Sequence, residues 1–459
     1  MLDHVFLSVS DVDRSIAFYE AALVPLGIAH AVDYDGRQGP AGHPDLKGFG
    51  ANVRVFFWLR EGSVEGGAAH VGFIAGSKRE VTRPSRRQCW QAPPKSTRRG
   101  HNFTMTPATT RPRFVIPTAT ASNSSTRNGS TDMKKLMIYG ALGYTGRMVA
   151  EHALAAGMPL ILAGRNEAKL ITLAASLGVE HRVFALEDTG VIDRSLGDVG
   201  VLLNCAGPFA KTANVLMRAC IRNGVHYLDV AAELDGYRLA ELLHVEAEIA
   251  GVMLLPGSGG SVAMLGCLAG HAVARTENPS IIRVAMHVSG GLSRGSAVSA
   301  MGSVTAETLA RADGKLVARS AGAIRQLDFG SGTVDCFQVT LPDLITIWRS
   351  TNVPDIETFV HVTGDGFPQG DLSALPDGPS EQERLANRYQ AVVEVTDSKG
   401  EVIRSILDTV NGYTFTAIAA AEAGRRVLTG EARPGFQTPA MLFGNGFAET
   451  IADTAIIDL

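Results

Sequence analysis

Gly140, Gly143 and Gly146 follow an apolar run at residues 136–139 and belong to the stretch Gly-Ala-Leu-Gly-Tyr-Thr-Gly-Arg. Glycines at this spacing allow a tight strand-to-helix turn, close approach of the backbone to a pyrophosphate, and a helix whose first free N–H groups face the phosphates. Tyr144 and Thr145 stand in that first helical turn. The next apolar run ends at Gly164-Arg165-Asn166, with no carboxylate before Glu167. An acidic residue there normally holds a ribose 2′-hydroxyl, and an arginine there meets a 2′-phosphate, so Arg165 points to NADP. The other reading is that Asn166 caps the following helix and Arg165 is its solvated neighbour.

Later apolar runs end on further polar groups: Asn204, Gly207 and Pro208, then Tyr227, Asp229 and Glu233, then Gly257, Ser258 and Gly260. Hydride transfer asks little of a protein beyond holding the nicotinamide against an electrophilic carbon and moving one proton. Tyr227, Asp229 and Glu233 are the candidate proton donors, because they end a strand at the edge where a ligand must lie. Asp229 is ionised at neutral pH unless burial shifts it. All three could instead bond to loop backbone or to ribose. Cys205 sits in an apolar strand with no His nearby in sequence, which reads as an inert buried thiol.

The elements that would position these groups alternate. Residues 136–139, 160–163, 182–186, 199–205, 227–230 and 252–255 read as buried strands. Residues 147–156 and 167–177 read as helices, each stopped by a glycine. That alternation predicts an α/β fold: a Rossmann-type doubly wound parallel sheet over residues 133–260. Residues 281–288, 332–340, 390–396 and 402–409 alternate as strands of a following α+β domain over 261–412, for substrate and dimer contacts, with a hairpin at 397–400. An alanine-rich helix at 414–428 and a tail to 459 are expected to pack back on the first sheet.

The phrases Gly-Ala-Leu-Gly-Tyr-Thr-Gly-Arg, Asn-Cys-Ala-Gly-Pro-Phe, His-Tyr-Leu-Asp-Val-Ala-Ala-Glu and Pro-Gly-Ser-Gly-Gly-Ser occur in that order. Together they resemble the saccharopine dehydrogenase-like family, especially its bacterial trans-acting enoyl reductase branch. The resemblance spans residue 133 to the Gly435-Phe-Gln-Thr-Pro-Ala stretch. It implies an NADP-linked oxidoreductase with substrate between the two layers, and no catalytic motif shared by all branches.

Residues 1–80 read differently. A strand at 3–9, a helix with Ile16, Tyr19 and Leu23 on one face, and strands at 53–59 and 70–75 follow the opening Leu-Asp-His-Val and the phrase Asp-Val-Asp-Arg-Ser-Ile-Ala-Phe-Tyr-Glu. This resembles the glyoxalase/bleomycin-resistance/extradiol dioxygenase family, whose βαβββ unit is used twice around a metal. Here the module is expected to be incomplete. His4 and His70 fall where that family places ligands, but two histidines without a third protein ligand make a poor site, so they read as strand histidines and no metal is expected. The open sheet edge invites homodimerisation.

Between the two parts, residues 82–131 contain no Asp or Glu and nine Arg or Lys, in a Thr-, Arg-, Pro- and Ser-rich composition without apolar periodicity. Residues 81–132 are therefore expected to be a disordered basic linker. GC-rich codons for residues 117–126, read in a shifted frame, give a sequence like the missing final strand, which suggests a frameshift. Outside these nine cations the chain has 33 basic and 46 acidic residues, a balance that offers nothing to a nucleic-acid backbone. No apolar run approaches the roughly 18 residues of a membrane span, no leader opens the chain, and the five cysteines are scattered without a Cys-x-x-Cys pair. A soluble cytoplasmic protein with reduced thiols is expected, acting on a small molecule.

Overall fold

The structure is a computed structural model and describes residues 5–9, 12–23, 28–38, 44–51, 54–61, 134–303, 307–364 and 375–459. The chain divides into two compact units, Met1–Arg127 and Asn128–Leu459. His4, His70, the expected strand at 70–75 and the basic segment at 81–132 lie outside the described residues.

In the first unit β1 (Val5–Val9) leads into a helix at Val12–Leu23, followed by β2 (Ala29–Tyr34), β3 (Leu46–Ala51) and β4 (Arg54–Glu61). The sheet order is β1-β4-β3-β2, with β1 parallel to β4 and the other pairs antiparallel. This is one βαβββ unit. The helix turns Ile16, Tyr19 and Leu23 onto one stripe, and Tyr19 meets Phe57 edge-on at 4.8 Å between centroids. The strands β2 and β3 were absent from the sequence reading; in β3, Gly48 and Gly50 break the alternation that marks a strand.

The second unit carries two sheets. The strands β5 (Lys135–Tyr139), β6 (Leu160–Gly164), β7 (Glu180–Val183), β8 (Val199–Asn204), β9 (His226–Asp229) and β10 (Met253–Leu255) alternate with helices. Their order across the sheet is β7-β6-β5-β8-β9-β10, all parallel. The chain therefore winds outward from β5 in one direction, returns, and winds outward in the other, which is the doubly wound arrangement of a Rossmann sheet. Burial on both faces explains the near-continuous apolar strands. The register sets Ala163, Tyr139, Asn204 and Asp229 side by side at the carboxyl ends.

The second sheet holds β11 (Pro279–Ser289), β12 (Glu307–Ala312), β13 (Lys315–Ser320), β16 (Asp355–Thr363), β17 (Tyr389–Asp397), β18 (Val402–Thr409) and β20 (Ala455–Asp458), in the order β13-β12-β16-β11-β17-β18-β20. A hairpin of β14 (Ile324–Asp328) and β15 (Thr333–Gln338) joins through β15 to β16. The helix at Ser261–Val273 is apolar all round and almost wholly buried between the layers, as such a composition requires. One apolar cluster runs from Leu136 and Ile138 through Leu265 and Leu268 to Val284 and Val393, so the layers share a core.

The C-terminal helix spans Gly412–Leu428 and lies on the Rossmann-type sheet, where Gly424 passes so near Leu136 that an added Cβ would meet its side chain at 3.3 Å. Beyond it β19 (Gly435–Phe436) pairs with β10 and becomes the seventh parallel strand. Two residues carry no periodic signal, so this strand was not foreseen. The third strand was expected at 182–186 but runs Glu180–Val183, because pairing with β6 fixes the register Ile161 to Glu180 and Lys135 forms an ion pair with Glu180 at 2.5 Å.

Candidate functional site

The turn after β5 is built around glycine. Gly140 has φ +86°, and a Cβ there would sit 2.7 Å from the Ala206 backbone nitrogen. A Cβ on Gly146 would collide with the Gly140 carbonyl oxygen. Both positions therefore exclude side chains and leave a backbone-walled concavity. Gly143 is the N-cap of the helix Tyr144–Ala155 and supplies no capping side chain, so the first-turn N–H groups, those of Tyr144, Thr145 and Gly146 among them, are not satisfied within the helix. Their partial positive charge faces the end of the sheet.

A cleft of about 470 Å³ opens beside this turn, lined by Tyr139, Gly140, Leu142, Gly164, Arg165, Asn166 and Ala206. It lies between the ends of β5 and β6, where a doubly wound sheet receives the adenosine half of a dinucleotide. Arg165 is exposed at its wall. Asn166 accepts the Lys169 N–H at 3.1 Å and caps the helix Glu167–Leu177, so capping by Asn166 and an arginine at the cleft coexist. β6 ends on Gly164 and presents no carboxylate at its tip.

The groups beyond β8 take other roles. Asn204 was expected at the cofactor, but its side chain is fully buried and committed to protein. Its Nδ2 donates to Thr212 Oγ1 at 2.9 Å and to Tyr227 Oη at 3.2 Å, and its Oδ1 accepts the Ala206 N–H at 3.0 Å. It shapes the Cys205–Ala206 loop that faces the glycine turn. Gly207 and Pro208 continue that loop through a cis bond, and Pro208 is the N-cap of the helix Phe209–Asn223.

The three expected proton donors are hydrogen-bonded to protein groups. Tyr227 is sealed and donates to Asp229 Oδ2 at 2.8 Å. Asp229 is sealed as well and accepts the N–H groups of Ala231 at 3.0 Å and Gly257 at 2.7 Å, which ties the β9 loop to the β10 loop. Burial pushes the Asp229 carboxyl up to about 6, against the pull of those donors. Glu233 accepts from the N–H groups of Phe209 at 3.1 Å and Ala210 at 2.8 Å, closing the N-terminus of the helix Phe209–Asn223. A position at the ligand edge says where a residue stands, not which way its side chain turns. Cys205, expected to be buried, is only half-buried, and desolvation raises its thiol pKa far above the ordinary value.

Groups from the second layer and the C-terminal helix pack against Tyr144. Tyr144 donates to the Pro379 carbonyl and accepts from Arg384 Nη1 at 2.7 Å, while Gly378 lies against its ring. The phenol is thus committed to the segment 378–384 rather than open to a cofactor, and what Tyr144 can offer a phosphate is its N–H. Tyr413, in the first turn of the C-terminal helix, packs edge-on against Tyr144 at 5.4 Å and accepts the Ser293 N–H at 2.7 Å. None of these partners carried a sequence signal, because each lies more than 100 residues from the turn it serves. The Asn411 cap ahead of Tyr413 is the one local cue, and it marks only a helix start.

With this geometry in place, residues 136–255 match the family model described as the saccharopine dehydrogenase NADP binding domain. Over 132 residues the chain is 30% identical to the trans-acting enoyl reductase of Mycobacterium leprae, covering 27% of this chain and 32% of that protein. Over 146 residues it is 27% identical to the saccharopine dehydrogenase-like oxidoreductase of Homo sapiens, covering 27% and 34%. The chain thus spans about a third of the length of these curated relatives. Among solved structures, the apo saccharopine dehydrogenase (L-Glu forming) of Saccharomyces cerevisiae aligns with a TM-score of 0.49 at 12% identity, over 71% of this chain and 100% of that one. Residues 136–255 are similar to the nucleotide-binding part of oxidoreductases.

Proposed function

We propose that residues 133–459 form an NADP-dependent oxidoreductase that reduces a C=C, C=N or C=O bond of a small metabolite or acyl substrate. The observation that carries this reading is the cleft: a side-chain-free glycine turn at one wall and Arg165 at the other, with no carboxylate at the tip of β6. A pyrophosphate fits against the N–H groups of the first helical turn, and the Arg165 guanidinium suits a 2′-phosphate. The bound cofactor would supply the hydride. The protein's part would be to hold it by Gly140, Gly143, Thr145 and Gly146, with Ala206 walling the same cleft, and to place substrate under the second layer. The Mycobacterium leprae relative is named an enoyl reductase, which puts enoyl thioesters among the substrates to try.

The test is NADPH consumption against enoyl thioesters, imines formed from amino and keto acids, and ketones, with NADPH binding followed separately by fluorescence. Turnover with one class and a preference over NADH is expected. Failure to bind NADPH sinks the proposal. Stoichiometric binding without consumption of any class would favour a nucleotide-binding regulator, a reading that draws support from the sealing of Tyr227 and Asp229.

A further inference from the structure

The reduction proposed above needs a proton as well as a hydride, and Tyr227, Asp229 and Glu233 are bound up in the scaffold. We infer that Tyr413 is the proton donor, an inference that rests on the oxidoreductase reading. Its placement comes from three sides. The first turn of the helix Gly412–Leu428 lies against the loop after β10, where a Cβ on Gly259 would sit 2.6 Å from the Thr416 carbonyl oxygen. The ring of Tyr413 stands against Tyr144 at the start of the pyrophosphate helix. Its oxygen is gripped by the Ser293 N–H, just beyond β11 in the second layer. Tyr413 is therefore at the carboxyl edge of the parallel sheet, where the two layers meet over the glycine turn.

Its hydrogen bonding leaves the proton available. The Ser293 N–H occupies a lone pair of the phenol oxygen, and no acceptor takes the phenol hydrogen among the described residues. Tyr144, by contrast, spends its proton on Pro379. Tyr413 keeps 8% of its surface exposed, whereas Tyr227 keeps none. A backbone N–H aimed at the oxygen also holds the charge that develops as the proton leaves. In the step inferred, hydride from NADPH adds to the electrophilic carbon. The Tyr413 proton passes to the carbonyl oxygen, the imine nitrogen or the enoyl α-carbon. The product carries both hydrogens, NADP⁺ remains, and the tyrosinate regains its proton from solvent.

The experiment compares wild type, Tyr413→Phe and Tyr389→Phe with a substrate found in the NADPH screen. Tyr389 lies in the core with its ring against Gly412, so its variant controls for packing. Tyr413→Phe is expected to lower kcat by roughly 10²- to 10⁴-fold, the ordinary contribution of a general acid. It should leave the NADPH Kd within about threefold, a change of under 1 kcal/mol. Tyr389→Phe should retain near-full turnover. The inference is overturned if wild type turns over and Tyr413→Phe keeps its rate, if its NADPH affinity falls as far as its kcat, or if the loss belongs to Tyr389→Phe. Absence of turnover by wild type with NADPH bound sinks the oxidoreductase reading, and this inference with it.

Discussion

At the scale of single residues, the steric demand of the glycine turn was legible, and the hydrogen-bond partners of Asn204, Tyr227, Asp229 and Glu233 were not. Three glycines at fixed spacing have one steric meaning, and it holds whatever surrounds them, because the Gly140 and Gly146 backbones leave no room for a Cβ. Arg165 stands at the wall of the cleft beside that turn, where a guanidinium would suit the 2′ position of a ribose. We predict that Arg165→Ala weakens NADPH binding by roughly ten- to a hundredfold, the loss of a charge-assisted contact of about 1.5–3 kcal/mol. NADH binding should change little. Fluorescence titration with both cofactors decides it, and equal losses would show that Arg165 does not discriminate. Tyr227 and Asp229 misled because strand position is readable from apolar periodicity while partner choice is not. Asp229 finds N–H donors on two other loops, and their convergence exists only after folding.

At the scale of elements, some helices and strands followed the sequence closely, while the nine-residue β16 and the helix Phe209–Asn223 were not foreseen. The helix Glu167–Leu177 and strand β18 have the bounds that periodicity and turn residues predict, since each carries its own cap or hairpin signal. Short elements such as β19, and the register of the edge strand β7, are set by neighbours. A Cβ at position 146 strikes the Gly140 carbonyl oxygen, so Gly146→Ala should move the turn off the first helical N–H groups. At least a tenfold loss of NADPH affinity is expected, about 1.4 kcal/mol or more; unchanged affinity would place the pyrophosphate elsewhere.

The helix Asp343–Thr351 makes a different prediction. Its first residue, Asp343, is fully buried, and neither carboxylate oxygen has a hydrogen-bond partner among the described residues. Burial raises the carboxyl from 3.8 to about 7. A folded value above the unfolded one means that the native state holds the proton more tightly, so this contribution to stability is full below about 4 and is lost as pH rises to about 7. Its size is on the order of 4 kcal/mol, and Asp229 adds a smaller loss that ends near 6. Urea unfolding at pH 5 and pH 8 should show wild type less stable at pH 8, and Asp343→Asn should flatten much of that difference. An equal pH dependence in the variant would mean that Asp343 is already paired.

At the scale of the whole molecule, the chain divides into two compact units, Met1–Arg127 and Asn128–Leu459. Residues 128–459 form one compact unit, and its large apolar clusters are drawn wholly from residues 136–451. Such a unit has what it needs to fold alone. What composition could not show is that the nucleotide-binding layer and the second layer are a single folding body. The core crosses between them through the helix Ser261–Val273, and β19 returns from the C-terminal tail to the first sheet. A cut between the layers should therefore destroy both, while a cut ahead of Met133 should spare both. We predict that residues 133–459, expressed alone, keep the NADPH affinity of the full chain and unfold within a few degrees of it. Residues 133–411 should fail to fold, because they lack the helix that covers Leu136 and the strand that completes the sheet. Calorimetry and NADPH titration of the two truncations measure this directly. Loss of folding in residues 133–459 would show that the N-terminal unit is an integral part of the fold.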